Sequence, residues 1–279
     1  MSLVIASLNS GSNGNCYYVG NSEEAVLIDV GITCREVEKR MKRIGLQIEN
    51  VKAIFISHEH TDHISGVAVL AKKYNLPVYI TPVTLAFSNL KIAKELLRNF
   101  VAEKNIVIGN LNIIPFRKFH DGKDPHSFIV CGNGVNIGVF TDIGIACEKV
   151  IAYFKQCNAV FLEANYDEEM LMRSSYPVHI KKRIKSNEGH LSNVQALQLF
   201  LEHKPVFMSH LILAHLSQNN NRAEIVEKLF FPYKHLAEIT VASRYKESAV
   251  FNIISNTFQT ETTAPVNRQQ KATQLSFFA

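Results

Sequence analysis

Short β-branched runs alternate, along most of this chain, with stretches whose apolar residues recur every three or four positions. Leu3–Ala6, Cys16–Val19, Ala25–Asp29, Ala53–Ser57 and Pro77–Ile80 are rich in Val, Ile or Tyr and bounded by Gly, Asn or Pro, the pattern of strands. Between them Cys34–Ile44 and Ser65–Tyr74 carry Lys and Arg between their apolar positions, which predicts amphipathic helices; a further helix is expected over Val83–Asn99. The second half repeats the habit. Strands are expected at Leu111–Phe116, Ser127–Val130, Val135–Thr141, Ala159–Leu162, Val206–His210 and Ile239–Val241, and helices at Gly144–Phe154, Asp167–Ser174, Asn193–Glu202 and Ala223–Phe230. Two sheets, each covered by helices on one face, would use this order well. No repeat at a fixed period is visible.

After Ile254 the pattern stops. Ser255–Thr273 is a run of Asn, Thr, Gln, Ala and Pro too poor in apolar residues to fold alone, so a domain over residues 1–254 and a flexible tail over 255–279 are expected. Of 279 residues, 47% are apolar and 20% charged, enough to bury a substantial core. The longest apolar runs, such as Val206–Leu216, carry histidines and fall well short of the ~20 residues of a membrane helix, so no membrane partner is expected. The N-terminal stretch has neither a basic start nor a long apolar core, and no signal peptide is read there. Cys16, Cys34, Cys131, Cys147 and Cys157 are scattered singly, which fits a reducing, cytoplasmic setting. The formal charge of +5 is compatible with a polyanionic partner without establishing one.

One segment stands apart chemically. The strand-like Ile54-Phe55-Ile56 runs into Ser57-His58-Glu59-His60-Thr61-Asp62-His63, delivering three imidazoles and a carboxylate within six residues. His58 and His60, two apart in extended backbone, project to the same side and can grip one cation. Asp62 and His63, just ahead of the expected helix, can turn toward a second. Neutral imidazole nitrogen and carboxylate oxygen suit Zn, Mn or Fe. A lone histidine is more often structural than a ligand; four such groups packed into H-x-H-x-D-H reverse that expectation.

H-x-H-x-D-H resembles the signature of the metallo-β-lactamase-fold hydrolases. The resemblance can be followed to about residue 254 and implies an α/β fold, a four-layer αβ/βα sandwich with a binuclear site at one edge of its two sheets. Asp29, closing a strand before Gly31, stands where the family keeps a carboxylate that orients a metal histidine. His120, in Phe119-His120-Asp121, falls where the third histidine of the first metal site is expected, with His126 after Pro125 as a rival for the place. Asp142 matches the bridging aspartate, and His215 the last ligand of the second metal. Ser7-Leu8-Asn9-Ser10-Gly11-Ser12-Asn13-Gly14-Asn15, Gly189-His190-Leu191-Ser192-Asn193 and the H-L-S-x-x-N-N of His215–Asn221 narrow the resemblance to the YycJ (WalJ) group, regarded as DNA-acting exonucleases. His126 departs from the small or apolar residue more usual in that group.

Two cations sharing Asp142 and a water would acidify that water into a hydroxide nucleophile and neutralise the charge of a phosphodiester. The same ions could serve a β-lactam or thioester, so the choice of bond rests on the leaving-group side. His190 occupies a place like that of the proton-donating histidine in tRNase Z-like phosphodiesterases, and Glu163 resembles the carboxylate that orients it. His190, Glu163 and Asp62 are therefore the catalytic candidates. The plain alternative makes His190 a helix-start residue with Ser192 as the cap, and both can hold. Gly11 and Gly14 permit turns that aim N–H groups inward, so Ser10, Ser12 and Asn13, with Ser192 and Asn193, are candidate substrate contacts, against a simple hairpin turn. Lys181-Lys182-Arg183-Ile184-Lys185, leading to His190, is a candidate phosphate track. His179, His203, His210 and His235 read as structural.

The terminal Gln274-Leu275-Ser276-Phe277-Phe278 resembles the short peptide with which bacterial replication and repair proteins dock on the sliding clamp, with Phe277 in place of the usual Leu. Its alternative is a tip folded back on its own domain or on a neighbouring subunit. The functional expectation is a binuclear-metal phosphodiesterase on nucleic acid, DNA favoured over RNA, working as an exonuclease from the 5′ end. Two rivals remain: a hydrolase of a small phosphodiester or other ester, and a non-catalytic DNA- or clamp-binding protein with structural metals, which a closed ligand set would favour.

Overall fold

The computed structural model describes residues 2–255. Strands β1 (Ser2–Asn9), β2 (Cys16–Gly20), β3 (Ala25–Ile28), β4 (Val51–Phe55), β5 (Val78–Tyr79) and β6 (Leu97–Arg98) come first, with helices α1 (Cys34–Arg43), α2 (Thr61–Ile64), α3 (Val67–Tyr74) and α4 (Pro82–Phe87) among them. There follow β7 (Ile106–Ile108), β8 (Leu111–Arg117), β9 (His126–Gly132), β10 (Val135–Phe140), α5 (Glu148–Phe154) and β11 (Ala159–Glu163). Helices α6 (Glu168–Arg173), α7 (Val178–Ile184) and α8 (Asn193–His203) lead to β12 (His210–Ala214), α9 (Ala223–Phe230), β13 (Glu238–Val241) and β14 (Phe251–Ile254).

The strands form two seven-stranded sheets of matching design, β14-β1-β2-β3-β4-β5-β6 and β13-β12-β11-β10-β9-β8-β7. In each, antiparallel pairs give way to parallel ones, from β3 to β6 in the first and from β10 to β13 in the second. Period-two alternation assigns the layers. Leu3, Ile5, Ala53 and Phe55 share one core between the sheets with Ile137, Val139, Phe161 and Ile212. Their sequence neighbours face outward: Ala6, Leu8, Ile54 and Ile56 pack with α1 and α3, and Val160, Leu162, Leu211 and Leu213 with α5, α8 and α9. The result is a four-layer αβ/βα sandwich. Its central parallel strands are buried on both faces, which is why they read as unbroken apolar runs. Such sheets place ligands beyond the carboxyl ends of their strands, and the site lies there.

Several boundaries differ from the sequence expectation. The helix expected over Val83–Asn99 is only α4, capped by Thr81 with Pro82 in its first turn. Asn89 then turns left-handed, and Leu97–Arg98 pairs parallel with β5, so the open sheet edge wins over a weak helical period. The strand expected at Val206–His210 starts at His210 instead. Val206 is 87% exposed, whereas Leu211–Ala214 bury completely beside β11. The helix expected from Gly144 begins at Glu148, with Cys147 at its N-cap; Gly144 itself lies against the Asn187 carbonyl, too close for a side chain. The helix expected from Ser65 begins at Val67, after the separate turn of α2. Strands β7 and β14 and helix α7 are additions. Helix α7 contributes no buried residue, so in sequence it reads only as a charge run.

All five cysteines are free. Among the described residues no helix is long and apolar enough to cross a membrane. The segment beyond Ser255, with Gln274, Leu275, Phe277 and Phe278, lies outside the described residues.

Candidate metal centre

The two sheets supply the site differently. From the first, β3 ends at Asp29, and β4 runs out through Ser57 into His58, His60 and the single turn of α2 that carries Asp62 and His63. From the second, each residue comes from a separate place: His120 after β8, Asp142 after β10, Glu163 at the end of β11, His190 ahead of α8 and His215 after β12. Asp29, Asp142 and His215 hold left-handed backbone, with φ of 59, 54 and 55°. That conformation is uncommon outside glycine, and of order 1 kcal/mol or more is stored at each. Its recurrence at three strand ends marks positions where side-chain placement outweighs backbone preference.

The imidazoles meet nitrogen to nitrogen. His58 Nε2 lies 3.0 Å from His60 Nδ1, which lies 3.4 Å from His120 Nε2. His63 Nε2 and His215 Nε2 lie 3.5 and 3.4 Å from Asp62 Oδ2. The other ring nitrogen of His58, His63, His120 and His215 is already committed. His63 Nδ1–H donates to Asp29 Oδ2 at 2.7 Å, and His215 Nδ1–H to Glu163 Oε1 at 2.8 Å. His120 Nδ1–H donates to the Gly189 carbonyl at 2.9 Å. Ser57 Oγ donates to Asp29 and so accepts from His58 Nδ1 at 2.8 Å. With the Nδ1 protons directed outward, the Nε2 atoms of His58, His63, His120 and His215 all face inward, toward each other and toward Asp62, the nitrogens a cation would use.

Asp142 stands between the two sets. Its Oδ2 lies 3.1 Å from His63 Nε2, and its Oδ1 3.6 Å from His120 Nε2. Oδ2 is buried with no hydrogen-bond partner, a state that normally costs free energy. Ring nitrogens converging on an unpartnered carboxylate are an arrangement that divalent cations satisfy. The donor set fits such a cation, and it gathers into the trios His58/His60/His120 and Asp62/His63/His215 beside Asp142.

Burial and charge treat the trios differently. Burial, with the charges of His63 and Lys118, pushes His58 well below the ordinary imidazole range. Burial, with His190 and Lys118, takes His120 down to about 4. At His63 burial is outweighed by Asp142, Asp62 and Asp29, which hold the ring well above that range. His215 is raised to about 10, against burial, by Asp142, Asp62 and Glu163.

Glu163 is fully buried and ties the second sheet's contribution together. Its Oε1 accepts from both His190 Nδ1 and His215 Nδ1 at 2.8 Å, and its Oε2 from the Ile143 and Leu191 N–H groups. Burial would raise its carboxyl, but His190 and His215 hold it down at about 2. A cleft of about 330 Å³ opens over His60, Asp62 and His190.

His126 lies outside both trios: it starts β9, donates to the Asp124 carbonyl and stacks edge-on against Phe100. Ser10, expected at the substrate, is buried; its Oγ accepts from the His215 N–H at 2.7 Å and pairs with Tyr17 Oη at 2.8 Å. Ser192 caps α8 within a capping box, and Asn193 pairs with Asn221; both are buried away from the cleft. Ser12 lines the cleft, whereas Asn13 is exposed and donates to the Arg244 carbonyl. The Gly11 and Gly14 N–H groups are used inside their own loop, which leaves no nest for phosphate from either. In the basic run, Lys181 donates to the Met172 carbonyl and Arg183 pairs with Asp121, while Lys182 and Lys185 remain exposed.

Sequence reasoning missed several supports. Asn15 Nδ2 bonds Asp62 Oδ2 at 3.2 Å, and Asn15 Oδ1 accepts from Tyr17 Oη at 3.0 Å. Ser10, Tyr17 and Asn15 thus form one buried chain from His215 to Asp62, across the two sheets. Lys118 is buried and donates to the Thr141 carbonyl at 2.6 Å, fixing the backbone just before Asp142. Gly31 has a readable reason: a Cβ there would fall on the Asp62 carbonyl oxygen.

The metallo-β-lactamase superfamily profile matches residues 10–140. The exodeoxyribonuclease YycJ of Bacillus anthracis is 34% identical over 233 residues, covering 81% of this chain and 86% of that protein. The exodeoxyribonuclease WalJ of Streptococcus pneumoniae is 30% identical over 244 residues, covering 86% and 91%. Among solved structures, the metallo-β-lactamase fold protein YhfI from Bacillus subtilis superposes with a TM-score of 0.68 at 16% identity, covering 90% of this chain and all of that one, a likeness of fold.

Proposed function

The chain belongs to the metallo-β-lactamase superfamily, in its YycJ/WalJ-like group of metal-dependent hydrolases, and on that premise we propose a nuclease that holds two divalent cations, zinc or manganese, and degrades DNA from the 5′ end. The observation that carries the reading is the meeting of inward-facing ring nitrogens around unpartnered Asp142, with a hydrogen-bonded His190–Glu163 pair on its open side. His58, His60 and His120 would hold one cation, Asp62, His63 and His215 the other, with Asp142 shared. Cations bound there would make a water nucleophilic near neutral pH and neutralise charge on a phosphodiester.

The chain's own groups do the rest. Asp29, Ser57, Glu163 and the Gly189 carbonyl fix the ring orientations. His190 Nδ1–H donates to Glu163, which leaves Nε2 to give a proton to the oxygen that departs when the P–O bond breaks. Glu163, held as a carboxylate by its four partners, orients His190 and stabilises the ring while it is charged. The open cleft argues against purely structural metals, which would be closed off by their ligands. Exposed Lys182 and Lys185, on the helix that borders the cleft, support a polyanionic strand as substrate. Clamp docking through Gln274, Leu275, Phe277 and Phe278 remains an expectation of the sequence alone.

The test is hydrolysis of end-labelled DNA and RNA with and without added metal, with His63→Ala as the blank. Metal-dependent release of nucleotides from the 5′ end of DNA is expected. Preferential hydrolysis of a chromogenic diester, with both nucleic acids left intact, would put the small-ester reading first.

A further inference from the structure

Helix α7 carries an apolar stripe that no core claims. Ile180 and Ile184 stand one turn apart on it, and Tyr176 lies just ahead of the helix, four residues before Ile180. None of the three belongs to a hydrophobic core cluster. They line the cleft over the metal centre, whose other walls are polar, among them Ser12, Asn165 and Ser217. Tyr176 is fixed in place, its hydroxyl accepting from Asn219 Nδ2 at 2.9 Å. Arg183, held by Asp121, adds a cation beside the stripe.

A polar floor under one apolar wall suits a ligand that is anionic at one end and flat and apolar at the other. At about 330 Å³ the cleft is near the lower limit of ligand-binding clefts, roughly 300 Å³. It has room for a single nucleotide.

We propose that Tyr176, Ile180 and Ile184 form a nucleobase shelf, which takes the unpaired base beside the scissile phosphodiester while the phosphate lies at the metal centre. The inference rests on the nuclease reading and narrows its substrate to a single-stranded or frayed end. Stacking gives contact area without reading base edges, so the shelf tolerates any sequence.

Two measurements on the full-length protein test the shelf separately from the nuclease reading. In the first, an oligonucleotide with terminal 2-aminopurine and a non-cleavable anionic phosphonate end linkage is bound to the metal-loaded protein. Stacking quenches the fluorescence with wild type and with Tyr176→Phe, and the quench is lost when Tyr176→Ala and Ile180→Ala are combined. In the second, the metal-loaded enzyme is given single strands ending in a normal or an abasic nucleotide. Wild type prefers the base-bearing end by about 10- to 100-fold in kcat/KM, and the double variant brings the ratio toward one. Equal use of both ends by wild type, or no quench, overturns the shelf and leaves the nuclease reading standing. If metal-loaded wild type cuts no nucleic acid, the nuclease reading fails and the quench alone decides the shelf.

Discussion

The two trios beside Asp142 use the same imidazole chemistry and differ in what stands behind it. Behind His58 and His120 are neutral acceptors, the Ser57 hydroxyl and the Gly189 carbonyl. Behind His63 and His215 are carboxylates, Asp29 and Glu163. Neutral backing leaves rings that carry no proton to displace. Carboxylate backing makes more basic ligands, which grip a cation better but bind a proton in its absence. On the proposed reading, one half of the centre would be ready for a cation across a wider pH range, while the other would couple cation binding to proton release.

The largest effect is expected where the contrast ends, at the shared carboxylate. Asp142→Ala should strip both trios, with bound metal falling toward zero and activity dropping by more than the roughly 100-fold upper limit typical of groups behind the ligands. Two cations retained per chain would show that Asp142 is not shared.

Glu163→Gln should lower turnover by about 10- to 100-fold, flatten the acid limb of the pH–rate profile and loosen the cation at Asp62/His63/His215, leaving the other trio's affinity in place. Equal loosening at both trios would remove the distinction between the two backings.

The third prediction concerns pH. His215, raised to about 10, carries its proton through the neutral range in the metal-free protein, and a cation must expel it. Affinity at that trio should therefore fall about tenfold per pH unit for each proton released as pH drops from 8 to 6. His120, at about 4, and His58, held well below the ordinary imidazole range, have no proton to lose there, so their trio should weaken far less. Parallel weakening of both in a calorimetric titration would contradict the assignment.

The smallest effect is expected from Tyr17→Phe, which cuts the buried chain from Ser10 to Asn15. A loss of about 1 kcal/mol, roughly fivefold in affinity, should fall on the Asp62/His63/His215 trio alone.

The contributions of the two sheets were also unequally legible. His58, His60, Asp62 and His63 are contiguous, so strand geometry and one helical turn suffice to bring them together, and the sequence shows it. His120, Asp142, Glu163, His190 and His215 lie at five separate places, and only the family resemblance drew them into one site. Ser10 misled for a local reason: a Gly- and Ser-rich loop reads as a ligand cradle, but here its polar groups are spent holding His215 and one another. Tyr17 gave no signal, since a buried tyrosine in a strand reads as core until its hydroxyl partners are seen. Helix α7 was missed because its apolar residues face a cleft, and periodicity foretells a helix most clearly where one face is buried. The parallel core strands were legible as continuous apolar runs. The errors at Val83–Asn99 and Val206–His210 arose where pairing at a sheet edge, or register with a neighbour, fixed the limits.

The most direct test is the number of cations held by wild type, His120→Ala and His63→Ala, measured by elemental analysis and by titration of the metal-free proteins at pH 8. The account predicts two per chain in wild type and one in each variant, with the surviving site pH-dependent in His120→Ala and nearly pH-independent in His63→Ala. A single cation in wild type, or two variants that behave alike with pH, would contradict it.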